Sequence, residues 1–155
     1  MATMIGSEAT LIELLNDLIE LDFDAIEAYK AAISRVDNLN DRAQLASFLE
    51  DHQRHVDDLS PFVRELGGEP AKEGDLKQVL TKGKVVLGGL IGDRVVLAAM
   101  KTNEDDTNTA YERALKRNDV PMRMRVVFER NLADERRHRE WLVKRIGEAE
   151  GTVRL

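Results

Sequence analysis

The stretches Leu49-Glu50-Asp51-His52-Gln53-Arg54-His55 and Leu132-Ala133-Asp134-Glu135-Arg136-Arg137-His138 are two copies of one pattern, and their reading decides the fold. Each sets two ionisable residues three apart, His52 with His55 and Glu135 with His138, so that on a helix both fall on one face a turn apart. Extending steps of three and four outward gives Leu45, Phe48, Leu59, Phe62 and Leu66 around the first pair. Around the second pair the same steps give Phe128, Leu132 and Leu142. Both copies therefore lie on amphipathic helices, with ionisable residues standing mid-seam where core residues belong.

Two further segments behave the same way. From Leu11 the steps run through Leu15, Leu18, Asp22, Ala25, Tyr29, Ala32 and Val36, apolar or aromatic except at Asp22. From Leu97 they run through Met100, Glu104, Thr107, Tyr111 and Ala114. Asp22 precedes Tyr29 as Glu104 precedes Tyr111, so the second half of the chain repeats the first.

Asp22, His52, His55, Glu104, Glu135 and His138 thus occupy interior mid-helix positions on four helices, and they include every histidine of the chain. Burying three carboxylates without cations costs several kcal/mol per ion. Two divalent metals would bring four positive charges against those three carboxylates, leaving room for a bridging hydroxide or oxide. Taken singly, an acid on a helix is a solvated charge and a His-x-x-His pair is a polar surface feature. The joint pattern is what points to metal.

The composition agrees with helices. Of the 155 residues, 43% are hydrophobic and 34% charged, with 3 prolines and 10 glycines. The absence of cysteine excludes disulfides, thiolate zinc sites, iron–sulfur clusters and thiol catalysis. No segment has the roughly 20 apolar residues of a membrane span, and no leader pattern opens the chain, so a cytoplasmic location without membrane partners is expected. A net charge of −6 argues against nucleic acid as a partner. Arg136, Arg137 and Arg139 interleave with acids and read as an ion-paired outer face.

The expected boundaries follow from caps and breakers. Helix 1 spans about Thr10–Val36, with Thr10 and Glu13 at capping-box spacing, and helix 2 spans about Asp41 to Gly67-Gly68, with a kink expected at Pro61. A long crossover, about residues 67–92, leads to helix 3 at about Asp93–Arg117. Helix 4 follows at about Pro121–Glu148, with a tail from Gly151. The expected whole is one domain over residues 1–155, an all-α antiparallel four-helix bundle. Gly83-Lys84 lacks the flanking residues of a phosphate loop, and Gly88-x-x-x-Gly92 reads as part of the crossover.

The doubled arrangement of an acid seven residues before a tyrosine, followed by Asp-Glu-x-x-His, resembles the bacterioferritin and rubrerythrin branch of the ferritin-like superfamily. The resemblance covers all four helices. It implies that Glu104 is a terminal metal ligand, that Glu135 bridges two irons, and that His55 and His138 are terminal. Asp51 and Asp134 would orient imidazoles through their second nitrogens, and Tyr29 and Tyr111 would pack and hydrogen-bond beside the site. Two departures stand out. Asp22 replaces a glutamate, and His52 replaces a bridging glutamate, which a histidine does not imitate as a carboxylate bridge.

The function implied is a dinuclear iron centre, two ions per chain, reacting with oxygen or peroxide in iron handling or oxidative-stress defence. As an enzyme it would be a metal-dependent oxidoreductase of ferroxidase or peroxidase type. Manganese or zinc would suit the same ligands. Haem is not expected, because Gln53 stands where bacterioferritins place the ligating methionine. A homodimer is compatible with the sequence. The competing reading is a non-catalytic stress or interaction bundle with a structural or degenerate site. A DNA-protective bundle is a third reading, disfavoured because such proteins build their metal site between subunits.

Overall fold

The computed structural model describes residues 4–73 and 89–153, with side chains described through residue 147. It has four helices, α1 (Leu11–Arg35), α2 (Leu39–Glu65), α3 (Asp93–Leu115) and α4 (Met122–Val153), and no strand among the described residues. The expected all-α four-helix bundle is what the chain forms.

Each boundary has a local cause. Thr10 accepts a hydrogen bond from Glu13 N at 3.2 Å, while the Glu13 carboxylate accepts from Ala9 N, so the side chains cap the start of α1 reciprocally. Asn38 caps α2 by accepting from Asp41 N at 3.0 Å. At its other end Gly67, at φ 84°, turns the chain so that Gly68 N donates to Val63 O and Gly67 N to Arg64 O. This is a Schellman stop. Gly68 also lies so close to α1 that a Cβ there would stand 2.9 Å from Ile12 Cγ2.

Two expectations shift. The helix α2 runs through Pro61, as its placement inside the helix anticipated, but beyond Leu59 its buried seam moves to Val63 rather than to Phe62 and the exposed Leu66. A helix of 3.6 residues per turn drifts from alternating three-four steps over this length. The helix α4 runs through Gly151 to Val153, where a tail was expected, since one glycine costs a helix only about 1 kcal/mol. Of the expected crossover, residues 74–88 lie outside the described residues, and Gly83-Lys84 and Gly88 with them.

The directions of the helices follow from their end contacts. The Asp93 carboxylate, at the start of α3, accepts from Asp37 N at 2.8 Å and Asn38 N at 3.0 Å, between the end of α1 and the start of α2. So α3 begins at the end where α2 begins and runs parallel to it, antiparallel to α1. Late in α4, Arg145 donates to Asp41 in the first turn of α2, making that pair antiparallel. The end of α2 and the start of α3 therefore lie at opposite ends of the bundle.

The core has two apolar parts. One gathers Leu14, Leu18, Leu59, Val63, Met124 and Phe128, the other Ala32, Val36, Leu45, Phe48, Met100 and Leu142. Between them, at mid-bundle, lies a polar layer.

Candidate metal centre

All six residues expected as ligands meet in that layer. Asp22 comes from α1, His52 and His55 from α2, Glu104 from α3, and Glu135 and His138 from α4. His52, His55, Glu104, Glu135 and His138 are 0% exposed and Asp22 is 1% exposed. They form two overlapping donor sets, Asp22 with His52, His55 and Glu135, and His52 with Glu104, Glu135 and His138. Within each set the donor atoms lie within 4.8 Å of one another. His52 and Glu135 belong to both.

Glu135 faces both sets with different oxygens. Its Oε1 lies 3.3 Å from His55 Nδ1 and 3.4 Å from His52 Nδ1, and its Oε2 lies 3.7 Å from His138 Nδ1. Thr107 donates to Oε2 at 2.9 Å, whereas Oε1 is buried without a hydrogen-bond partner. A buried carboxylate oxygen left in that state is costly, and a cation beside it removes the cost.

The surrounding residues cross between the two halves of the chain. His55 Nε2 lies 3.0 Å from Asp134 on α4, and His138 Nε2 lies 2.8 Å from Asp51 on α2. Tyr111 on α3 donates to Asp22 on α1 at 2.8 Å, and Tyr29 on α1 donates to Glu104 on α3. All four residues expected to support the ligands therefore touch them. Arg137 pairs with Asp51 at 2.6 Å and with Asp134 at 3.1 Å, and Arg54 also pairs with Asp134, closing the site toward solvent.

Three of these neighbours, Arg54, Asn108 and Asn131, were not singled out from the sequence, and Arg137 was read there only as part of an ion-paired outer face. Arg54 and Arg137 each directly precede a site histidine, a signal the repeat already carries. Asn131 donates to the Tyr111 hydroxyl at 3.2 Å, and Asn108 clips α3 to α4 by donating to Glu104 O and Glu135 O. Asn108 lies four residues after Glu104 and Asn131 four before Glu135, so helical spacing from a ligand would have found both.

The electrostatics follow from burial and pairing. Burial alone would lower the histidine pKa values, but the carboxylates around them win. His55 is pushed up to about 12 by Asp22, Asp134 and Glu135, His138 to about 11 by Asp51, Glu104 and Glu135, and His52 to about 9 by Glu135, Asp22 and Glu104. Burial would raise Asp22 and Glu104, yet the imidazoles hold both below the ordinary carboxylate range. Burial and the neighbouring carboxylates drive Tyr29 and Tyr111 well up, so their hydroxyls stay protonated and serve as donors.

The donors fit a transition metal. Metal–nitrogen and metal–oxygen bonds of about 2.0–2.2 Å set neighbouring donor atoms about 3 Å apart. Here the separations His52 Nδ1–Asp22 Oδ1, His55 Nδ1–Asp22 Oδ1 and His138 Nδ1–Glu104 Oε1 are 2.8, 3.1 and 3.3 Å. Nitrogen and carboxylate donors, with imidazoles held from behind by acids, suit iron, zinc and their neighbours.

Comparison with known proteins agrees with this architecture. Residues 10–117 match the family described as "Domain of unknown function (DUF2383)", more than half of the chain, and the chain belongs to that family. It is also similar to a bacterioferritin of Desulfovibrio desulfuricans. The two are 29% identical over 139 residues, covering 84% of this chain and 71% of that protein. No solved structure matches. Together with the bundle, the bacterioferritin match supports a ferritin-like relationship. No helix among the described residues is long and apolar enough to cross a membrane.

Proposed function

We propose that this member of the DUF2383 family binds two divalent metal ions in its bundle core, iron foremost, and uses them on oxygen or peroxide in iron handling or oxidative-stress defence. The observation that carries the reading is the pair of overlapping buried donor sets sharing His52 and Glu135, with Glu135 Oε1 accepting no hydrogen bond and facing only the His52 and His55 rings. Asp22 and His55 would complete one position, Glu104 and His138 the other.

When bound, a redox-active pair such as iron supplies the electrons that reduce such an oxidant. The chain's own residues prepare the place. The two apolar core clusters exclude water from both ends of the polar layer. Asp51 and Asp134 fix the rings of His138 and His55 so that Nδ1 turns inward. Tyr29 and Tyr111 hold protons on the oxygens that touch Glu104 and Asp22, where they steady those carboxylates.

A second reading rests on the same charges. Three imidazolium rings against Asp22, Glu104 and Glu135 balance without any metal, so the layer can stand as a polar network in a non-catalytic interaction bundle. Anaerobic Fe(II) loading separates the two. Wild type is expected to hold two ions per chain, and the His55→Ala, Glu135→Ala double variant to lose them. Oxygen and peroxide consumption by the loaded chain then tests turnover. A wild-type chain that takes up no iron, manganese or zinc leaves the metal-free network.

A further inference from the structure

His52 differs from the other two site histidines in how it spends its nitrogens. His55 and His138 each turn only Nδ1 inward, because Nε2 is taken by Asp134 or Asp51. No such acid stands behind His52. Its Nδ1 lies 2.8 Å from Asp22 Oδ1 and 3.4 Å from Glu135 Oε1, while its Nε2 lies 3.4 Å from Glu104 Oε1. Asp22 belongs to one donor set and Glu104 to the other. The ring also stands between the two remaining imidazoles, with its centroid 5.4 Å from that of His55 and 5.2 Å from that of His138.

We infer that His52 joins the two metal positions as an imidazolate, one ring nitrogen to each ion, where a second bridging carboxylate would otherwise stand. The inference rests on the metal-binding reading above and gives that site its coordination mode. Charge supports it independently of distance. Two divalent ions bring four positive charges, and Asp22, Glu104 and Glu135 return three. In a layer sealed from water the remaining charge is expensive. An imidazolate supplies the fourth negative charge from the chain itself, without a hydroxide or oxide from solvent.

The proton balance is simple. As the two metal–nitrogen bonds form, the protons on the His52 ring nitrogens pass to the solvent, and nothing is oxidised or reduced. A site with a nitrogen bridge and two further imidazoles favours zinc, iron, copper and nickel over manganese, which prefers oxygen donors.

Zinc is the diamagnetic probe that tests this in the intact chain. There are 3 histidines, so two-bond proton–nitrogen spectra of the isotope-labelled protein contain three ring patterns, each assignable through its own Cβ. At two zinc ions per chain, His55 and His138 are expected to show a metal-bound Nδ1 and a protonated Nε2. His52 is expected to show both nitrogens metal-bound and no nitrogen-bound proton. A His52 ring that keeps one N–H proton, or stays unbound while the other two bind, overturns the bridge but leaves the metal site standing. If zinc moves none of the three, the metal-binding reading falls together with the bridge.

Discussion

His55 on α2 turns its Nε2 to Asp134 on α4, 3.0 Å away. The reciprocal contact joins His138 on α4 to Asp51 on α2, so each copy of the repeated motif orients the other copy's histidine. The two halves of the site therefore cannot form separately. A helix pair that lost its opposite pair would lose the acids that set its imidazoles.

The first prediction concerns those acids. Asp134→Ala should leave His55 free to rotate and weaken zinc or cobalt binding about 10–100-fold, the usual effect of removing a carboxylate behind a ligating imidazole. Chelator competition reads the loss. Arg54→Ala, which removes a half-exposed partner of Asp134 and Asp51 but neither acid, should change affinity far less.

Tyr29→Phe removes the donor to Glu104, and Tyr111→Phe the donor to Asp22. Each should destabilise the metal-free chain by about 1–3 kcal/mol, the cost of leaving a buried polar group short of a partner. Urea unfolding with and without zinc measures it. The deficit should shrink in the loaded protein if the ion compensates those carboxylates, and an unchanged deficit would count against metal at that position.

Phe48 packs its ring 4.2 Å from that of His138, 5.6 Å from Trp141 and 6.2 Å from Tyr29. Phe48→Ala opens the wall of the site and should cost about 3–5 kcal/mol. It should also weaken metal binding by freeing His138. Phe48→Leu keeps most of the volume and should retain most of both, as seen by thermal unfolding and metal titration.

Acidity should act oppositely on the metal-free and loaded forms. Folding raises the three histidines above their ordinary 6.5, so the stability they contribute is complete below that value and is lost as pH rises through about 9 at His52 and then about 11 and 12. Asp22 and Glu104 are held down by folding, so their contribution is lost as pH falls through the acid range. Metal competes with the histidine protons, so apparent affinity should climb with pH and uptake should release protons into an unbuffered solution. Titration calorimetry in buffers of different ionisation heat reads that release.

Much of the fold was legible because a buried stripe on a helix leaves a period in the chain. Thr10 with Glu13 and Gly67 with Gly68 marked ends that the hydrogen bonds reproduce. Periodicity served less well at Leu66, where accumulated drift turned a predicted core residue outward, and at Gly151, where a glycine did not end the helix. Arg54 went unread and Arg137 read only as an ion-paired outer face because such charge reads as solvent-facing, which both half are, while their head groups reach the acids behind the histidines.

The sequence by itself determined that four helices form and that three acids and three histidines share their buried faces at one level, because side-chain direction along a helix follows from spacing alone. Only the tertiary structure decided which acid meets which ring. It crossed Asp51 to His138 and Asp134 to His55, left Glu135 Oε1 without a hydrogen bond, and set His52 between two donor sets with a nitrogen toward each. Those relations depend on how far each helix is shifted and rotated against its neighbours, and on the rotamer each ring adopts there. No periodicity within a single helix records them.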